Sequence, residues 1–165
     1  MSEQTQPASN DAAAQQAIFS IEKIYVKDMS LEVPGAPAVF MSSEQPQIEI
    51  NIHNGASVVE QGALYEVVLT ATVTAKAGER TIFLVEVAQA GLFHIRNLAP
   101  QDLDGVLGIL CPTTLLPYAR EAVSSAVSSA GFPPVILQHM DFSQIFMQSQ
   151  QQRDAESGVA PSQVN

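Results

Sequence analysis

The sequence predicts an α+β fold: a four-stranded antiparallel sheet with helices packed on one face and a C-terminal helix at the edge. Two observations support this prediction. Apolar and polar residues alternate along several stretches up to about residue 95, and helical spacing of apolar residues appears only afterwards. Strands grouped before helices are typical of antiparallel sheets with helices on one side, because a parallel sheet needs the two to alternate.

The first predicted strand covers about residues 18–33 and has two chemically different faces. Side chains alternate sides along a strand, so one face is apolar and the other is largely acidic. Pro34 and Pro37 remove backbone donors, and the strand is therefore expected to end before them. The apolar face carries Met29, Leu31 and Val33, and the other carries Asp28, Ser30 and Glu32.

Three more strands follow in the sequence. Residues 47–53 alternate isoleucines with polar residues, and residues 65–76 alternate most regularly. A short turn at Ala77 and Gly78 then predicts a hairpin to a fourth strand from Thr81 to about residue 95. Acidic residues at even positions of these strands predict an acidic exposed sheet face, and part of the fourth strand is apolar on both faces.

The helical region has recognisable ends. Thr114 is predicted to cap a helix that has Pro117 in its first turn and ends before Gly131. A short helix over about residues 102–110 precedes it. Asp141 is predicted to cap a last helix, which places Phe142, Ile145 and Phe146 on one face and fades into the glutamines at 148–152.

Composition restricts the functional class. The chain has 165 residues, 46% of them hydrophobic, which is enough for one domain with a core. Seventeen acidic against seven basic residues give a net charge of −10, which argues against binding to nucleic acid or to anionic membranes. The longest uncharged stretch, 122–140, contains serines, glycine and prolines, so we expect no membrane span. The single cysteine and an N-terminus without a signal sequence indicate the cytoplasm.

Catalytic chemistry has few candidates. Cys111 could act as a nucleophile if one of the histidines, at 53, 94 and 139, lay beside it, but a lone cysteine next to a helix start is more often core packing. The histidines have no metal-ligand spacing, and no phosphate-binding loop is present in the sequence. We therefore expect no enzyme activity, no metal and no cofactor.

Aromatic residues near predicted element ends suggest a binding surface instead. Phe40 lies with Val39 and Met41 in the connection between strands one and two, where it either folds onto the core or forms a wall of an apolar groove. Methionines such as Met41 and Met147 would let such a groove accept varied sequences.

Four segments resemble the SecB family of bacterial protein-export chaperones, over roughly residues 18–150. They are IEKIYVKDMSLEVPGAP at 21–37, FLVEVAQAGLF at 83–93, LLPYARE at 115–121 and GFPP at 131–134. The resemblance implies an ATP-independent holdase. It would be a homotetramer, a dimer of dimers, that holds unfolded precursor proteins in surface grooves and passes them to the SecA translocase motor.

The resemblance also implies roles for individual residues. SecA would dock on Asp28, Glu32, Leu84 and Glu86. Val85, Val87 and Gln89 would support tetramer assembly through the long helix. The client groove would include Phe40, Met41, Phe93, Tyr118, Phe132, Phe142 and Phe146. The C-terminal tail departs from the family pattern because it has one arginine, Arg153, against Asp154 and Glu156.

The predicted organisation is a disordered lead (1–16), one SecB-like domain (17–152) and a flexible tail (153–165). Two alternatives to the export role stay open at this stage. One is a general or toxin–antitoxin-associated holdase of the same fold, and the other is a small cysteine enzyme that uses Cys111.

Overall fold

The computed structural model describes residues 16–157, which form one antiparallel sheet and a set of helices. The strands are β1 (Ile18–Glu32), β2 (Gln47–Glu60), β3 (Leu64–Ala77) and β4 (Arg80–Arg96), and their order in the sheet is β1-β4-β3-β2. The helices are α1 (Pro100–Gly105), α2 (Cys111–Ser129) and α3 (Phe142–Ser157). A π-helical segment (Val106–Leu110) joins α1 to α2, and a 3-10 turn (Ala38–Met41) lies between β1 and β2. The predicted fold class is confirmed.

One face of the sheet is covered by α2 and the other is open. Odd positions of β3, such as Val67, Leu69 and Val73, are fully buried, whereas the even positions between them are partly exposed. The buried side chains pack against a stripe of α2 whose members recur every four residues or so and therefore share one side of the helix. That stripe consists of Leu115, Ala119, Val123 and Val127. We call the two sides the helix face and the open face.

The hairpin between β3 and β4 forms where the sequence predicted it. Ala77 pairs with Arg80, and Gly78 between them has a φ of 59°. This left-handed backbone suits glycine because other residues place a Cβ too close to the following carbonyl.

The start of the long helix differs from the prediction. Thr114 is not an N-cap; it lies inside α2, where its hydroxyl donates to the carbonyl of Leu110 over 2.9 Å. The helix continues without a break from α1 through the π-helical segment into α2. Pro117 is therefore inside a helix and not in its first turn.

A side chain from β2 compensates for a hydrogen bond lost in the π-helical segment. The N–H of Cys111 bonds to the carbonyl of Val106, five residues back. At the same spacing the carbonyl of Leu107 would accept from Pro112, which has no N–H. Asn54 donates to this carbonyl over 3.3 Å instead. This contact across 53 residues of sequence is the reason that the helix start could not be located from local signals.

The other helix ends agree with the prediction. The N–H of Phe132 bonds to the carbonyl of Val127 and that of Gly131 to Ser128, with Gly131 at a φ of 89°. This pattern is a Schellman motif, which ends α2. Asp141 caps α3 by accepting from the backbone N–H of Ser143 at 2.9 Å and of Gln144 at 3.4 Å.

Helix α3 runs further than the sequence suggested. It includes the glutamine-rich stretch and residues 153–157, because no glycine or proline interrupts the chain before Gly158. Residues 1–15 of the predicted lead and residues 158–165 of the predicted tail lie outside the described part of the chain. Between residues 16 and 157, no helix combines the length and apolarity that crossing a membrane requires.

Candidate functional site

Four residues form an acidic patch on the open face, across the neighbouring strands β1 and β4. Glu32 lies opposite Leu84, and Ser30 lies opposite Glu86. Asp28 lies opposite Ala88, one alternation further along the strand. Adjacent strands are about 4.8 Å apart and same-face residues are about 7 Å apart along a strand. The acidic patch, defined as Asp28, Glu32, Leu84 and Glu86, is therefore continuous.

The carboxylates of the acidic patch are available to a partner. All three are exposed, and within residues 16–157 none of them forms an ion pair. The hydroxyl of Thr72 on β3 donates to Glu86 Oε2 over 2.9 Å and orients that carboxylate. Leu84 is partly exposed among them. Leu84 thus lies beside acidic side chains that have no ion-pair partner within residues 16–157. Such a surface suits a basic partner that also presents an apolar side chain to Leu84.

A hydrogen-bonded cluster lies beside the acidic patch on the same face. Lys27 Nζ is 2.6 Å from Glu66 Oε2, and the hydroxyl of Tyr25 donates to the other carboxylate oxygen. The Lys27 ammonium and, next, the Tyr25 hydroxyl lower the pKa of Glu66. The hydrogen bond that Tyr25 donates to Glu66, aided by burial and by the negative charge of Glu66, raises the pKa of Tyr25 to about 12.

A first apolar cavity, of about 410 Å³, opens on the helix face between the β1–β2 connection and the segment after α2. The ring of Phe40 stacks on that of Phe132 with centroids 5.2 Å apart, and Phe132 in turn packs on Phe83 at 4.9 Å. Phe40 is 51% exposed, so this aromatic wall is open to a ligand. Ile48, at the start of β2, also lines this cavity.

A second cavity, of about 540 Å³, lies between β2, the π-helical segment and α3. Phe142 and Phe146 of α3 line it together with Ile52 of β2. The Phe146 ring sits against Gly108 so closely that a Cβ added there would be 2.4 Å from the ring. Glycine at this position therefore allows α3 to dock on the π-helical segment.

A row of isoleucines on β2 connects the two cavities. Ile48 lines the first and Ile52 the second, and Ile50 between them is 39% exposed. Four strand residues span about 14 Å. The two cavities and this row form one groove along the β2 edge of the helix face, which we call the apolar groove because aliphatic and aromatic side chains make up most of it. Polar side chains, among them Asn54, Asp104 and Arg153, also line the second cavity. The sequence had shown the alternation of these isoleucines but not that they connect two cavities.

Comparison with known proteins identifies the family. The family model described as "Preprotein translocase subunit SecB" matches residues 12–153. The chain belongs to the SecB family.

Individual relatives agree with this assignment. The chain is 52% identical to protein-export protein SecB of Dechloromonas aromatica over 150 residues, which cover 91% of this chain and 95% of that protein. It is 54% identical to the corresponding protein of Chromobacterium violaceum, over 88% and 95% of the two chains. A solved SecB-like chaperone of Mycobacterium tuberculosis, in complex with an antitoxin peptide, has the same fold with a TM-score of 0.61. It is only 16% identical and covers 74% of this chain and 90% of that one.

The predicted SecB chaperone role is thereby confirmed, and the structure shows where the predicted site residues lie. Phe40, Phe132 and Phe146 line the groove, and Phe142 borders the second cavity but is only 3% exposed and belongs to the core. Tyr118 and Met41 are exposed but line neither cavity.

Phe93 differs from its predicted position in the groove. It is fully buried and stacks on Phe19 with ring centroids 5.8 Å apart. It is therefore a core residue. Phe93 continues the odd-position alternation of β4 that also buries Phe83 and Val85, and this alternation places it on the helix face under the core.

The residues predicted to support tetramer assembly are buried in the core of the subunit. Val85 and Val87 are fully buried in the core that α2 covers, and Gln89 is 3% exposed. The side-chain amide of Gln89 donates to the carbonyl of Tyr25 over 2.9 Å. While α2 stays in place these residues cannot touch another subunit, so any influence on assembly must act through α2 or β1. Their role stays a prediction.

Cys111 is a core residue, as the packing interpretation predicted. It is fully buried, and burial raises the pKa of its thiol to about 12, so it is protonated at neutral pH. In the described part of the chain, no group of three or more His, Cys, Asp or Glu side chains could hold a metal ion. The burial of Cys111 and the raised pKa of its thiol remove the support for a cysteine nucleophile.

Proposed function

We propose that this SecB protein is an ATP-independent cytoplasmic holdase that keeps precursor proteins unfolded and delivers them to SecA as a homotetramer without catalysing a reaction. The observation that carries the proposal is the separation of two surfaces. The apolar groove lies on the helix face, and the acidic patch lies on the open face. A client and a motor can therefore be bound at the same time.

The groove suits extended, apolar segments of unfolded chains. Its two cavities are about 14 Å apart along β2, a distance that four or five extended residues span. The aromatic wall at Phe40 and the exposed Met147 of α3 provide adaptable apolar contacts. No single motif is required, because each contact is weak and strength comes from several used together.

The groove can be tested by client refolding. Phe40→Ser or Phe146→Ser should reduce the ability of the chaperone to slow the folding of a client, since each removes an aromatic wall of a cavity. Tyr118→Ser is the matched control because Tyr118 is as exposed as Phe40 but lines neither cavity. If the two phenylalanine variants slow client folding as strongly as the wild type does, the groove assignment is wrong.

The acidic patch suits the SecA motor. Its three carboxylates, which form no ion pair within residues 16–157, offer charge, and Leu84 offers an apolar contact. Reversal to lysine at Asp28, Glu32 and Glu86 together should weaken SecA binding in a titration and leave client capture intact. Reversal of Glu49, an exposed acid two strands beyond β4 on the same face, is the control. Unchanged SecA affinity in the triple variant would contradict the docking assignment.

Self-association is supported by the uncovered part of β1. This edge strand places five apolar residues on the helix face, each 38–52% exposed. They are Phe19, Ile21, Val26, Met29 and Leu31. Apolar area of this extent is typical of a surface that another subunit covers. The native mass in solution tests this, and a monomer would contradict the proposed assembly.

Export is favoured over an antitoxin-associated role by the degree of similarity. The relatives at 48–54% identity are protein-export proteins, whereas the chaperone bound to an antitoxin peptide is 16% identical. Affinity capture from the native bacterium would separate the two. Recovery of SecA and secretory precursors supports export, and recovery of an antitoxin alone contradicts it.

A further inference from the structure

A bulge in β1 brings a positive charge onto the acidic face. Val26 pairs with Gln89 and Asp28 with Ala88, so Lys27 has no partner of its own in the register. An extra residue of this kind interrupts the alternation of side chains. The Lys27 ammonium contacts Glu66, which is an open-face residue because it flanks the fully buried Val67. Lys27 and Asp28 are neighbours in sequence and yet share the open face.

This placement threatens the acidic patch. A lysine ammonium moves freely on four methylenes, and Asp28 is the next residue along the strand. If Lys27 paired with Asp28, the three carboxylates of the patch would lose a third of their formal charge. A docking partner that depends on that charge would bind more weakly.

Glu66 prevents this pairing. Its Oε2 is 2.6 Å from Lys27 Nζ, and its Oε1 accepts from the Tyr25 hydroxyl, so both oxygens are held. The Glu66 side chain is 14% exposed, against 48% for that of Lys27, which reduces the screening of the pair by water. Glu66 lies two strands from β1, and contact with it therefore draws the ammonium away from Asp28.

We propose that Glu66, held by Tyr25, is a positioning residue that withdraws Lys27 from Asp28 and so keeps the acidic patch negative for a basic partner. This inference rests on the docking role proposed above. It assigns a role to residues outside the patch. It also predicts that removing a carboxylate distant from the patch will change docking through Lys27.

The test compares SecA binding by the full chain of four variants with that of the wild type at physiological salt. Glu66→Gln keeps an acceptor for Tyr25 but loses the charge that holds Lys27, and it should weaken SecA binding about fivefold, the effect of one close charge pair in water. Lys27→Met alone should not weaken binding. The double variant Glu66→Gln/Lys27→Met should bind as the wild type does, because no ammonium is left to approach Asp28.

Glu49→Gln is the matched control. Glu49 is an acid of the same face, and it also pairs with a lysine, Lys76, at 3.9 Å. By strand spacing, Glu66 is about 16 Å from Asp28 and Glu49 is about 12 Å from Glu86, and both distances exceed the Debye length of about 8 Å at physiological salt. A general loss of charge should therefore weaken binding by Glu49→Gln at least as much as binding by Glu66→Gln.

The outcomes are distinct. The inference is supported if Glu66→Gln lowers SecA affinity, if adding Lys27→Met restores it, and if Glu49→Gln does not lower it as much. The inference is overturned if the double variant binds SecA as weakly as Glu66→Gln does. It is also overturned if Glu66→Gln and Glu49→Gln lose equal SecA affinity. If the triple charge reversal in the patch also leaves SecA affinity unchanged, the docking surface itself is wrong and both proposals fail.

Discussion

The contact between Gly108 and Phe146 gives the sharpest test of how α3 is held. Alanine at Gly108 would place its Cβ 2.4 Å from one ring atom of Phe146 and 2.7 Å from another, so the ring must move. Overpacking of this kind costs about 1–3 kcal/mol. Replacement of glycine by alanine within a helix contributes up to about 1 kcal/mol of stability in return. Gly108→Ala should therefore be destabilising or close to neutral.

Gly105 provides a control in the same helical rod. A Cβ there meets nothing within 4 Å, and its φ of −63° is ordinary helix. Gly105→Ala should therefore stabilise the protein by about 0.5–1 kcal/mol. The same chemical change should thus have a more favourable effect at Gly105 than at Gly108, with the difference equal to the cost of moving Phe146.

Urea or thermal unfolding at one fixed protein concentration measures this difference, because association would otherwise shift the apparent stability. For a chain of this size the midpoint moves about 2–4 °C per kcal/mol. Combination with Phe146→Leu should remove most of the cost of Gly108→Ala. Equal midpoints for the two alanine variants would refute the reasoning.

Three further predictions follow from buried or capping groups. Cys111→Ala should lower the unfolding free energy by about 1–2 kcal/mol, because core packing is lost. The variant should still slow client folding as the wild type does. Loss of this chaperone activity would argue against a packing role for Cys111. Asp141→Ala should destabilise α3, and circular dichroism should show a lower melting temperature for the helix in the variant than in the wild type. The Ser143 side chain and, next, the backbone hydrogen bonds from Ser143 and Gln144 lower the pKa of Asp141. The wild-type cap is therefore present above the ordinary carboxyl range and is lost as pH falls through its depressed pKa. An α3 equally stable in the variant and the wild type would contradict the cap. Ultraviolet titration should show Tyr25 ionising near pH 12, and Glu66→Gln should return it toward its ordinary value of 10.0. Because the pKa of Tyr25 is raised, the hydrogen bond from Tyr25 to Glu66 contributes fully to stability below pH 10, and this contribution is lost as pH approaches 12. If Tyr25 titrates in Glu66→Gln as it does in the wild type, Glu66 is not the cause of the raised pKa.

Strand faces were predictable because alternation is a local property. The buried and exposed positions of β3 follow directly from period-2 spacing, and the same rule placed Asp28, Glu32 and Glu86 on one face. The Schellman end of α2 and the Asp141 cap of α3 were also predictable, since each depends on three to six consecutive residues. The functional roles of these acids still rest on the proposed docking.

Other features depend on residues distant in sequence. The first turn of the long helix was misplaced at Thr114 because Asn54, on β2, supplies the hydrogen bond that Pro112 cannot make. The local pattern does not contain that partner. The burial of Phe93, in contrast, was predictable, because Phe93 shares the odd-position alternation of β4 with Phe83 and Val85.

The amino-acid order by itself determined that there are four strands, that each has two faces, that one face is acidic, and the family. It did not determine the length of β2, which continues to Glu60, beyond the predicted stretch 47–53. Side-chain alternation and helix capping depend on a few neighbouring residues, and they can therefore be recognised in the sequence. Only the tertiary structure decided that the isoleucines of β2 join two cavities into a groove, and that a bulge turns Lys27 toward Glu66. Both depend on which strands become neighbours and in what register, and those are set by packing across the whole sheet.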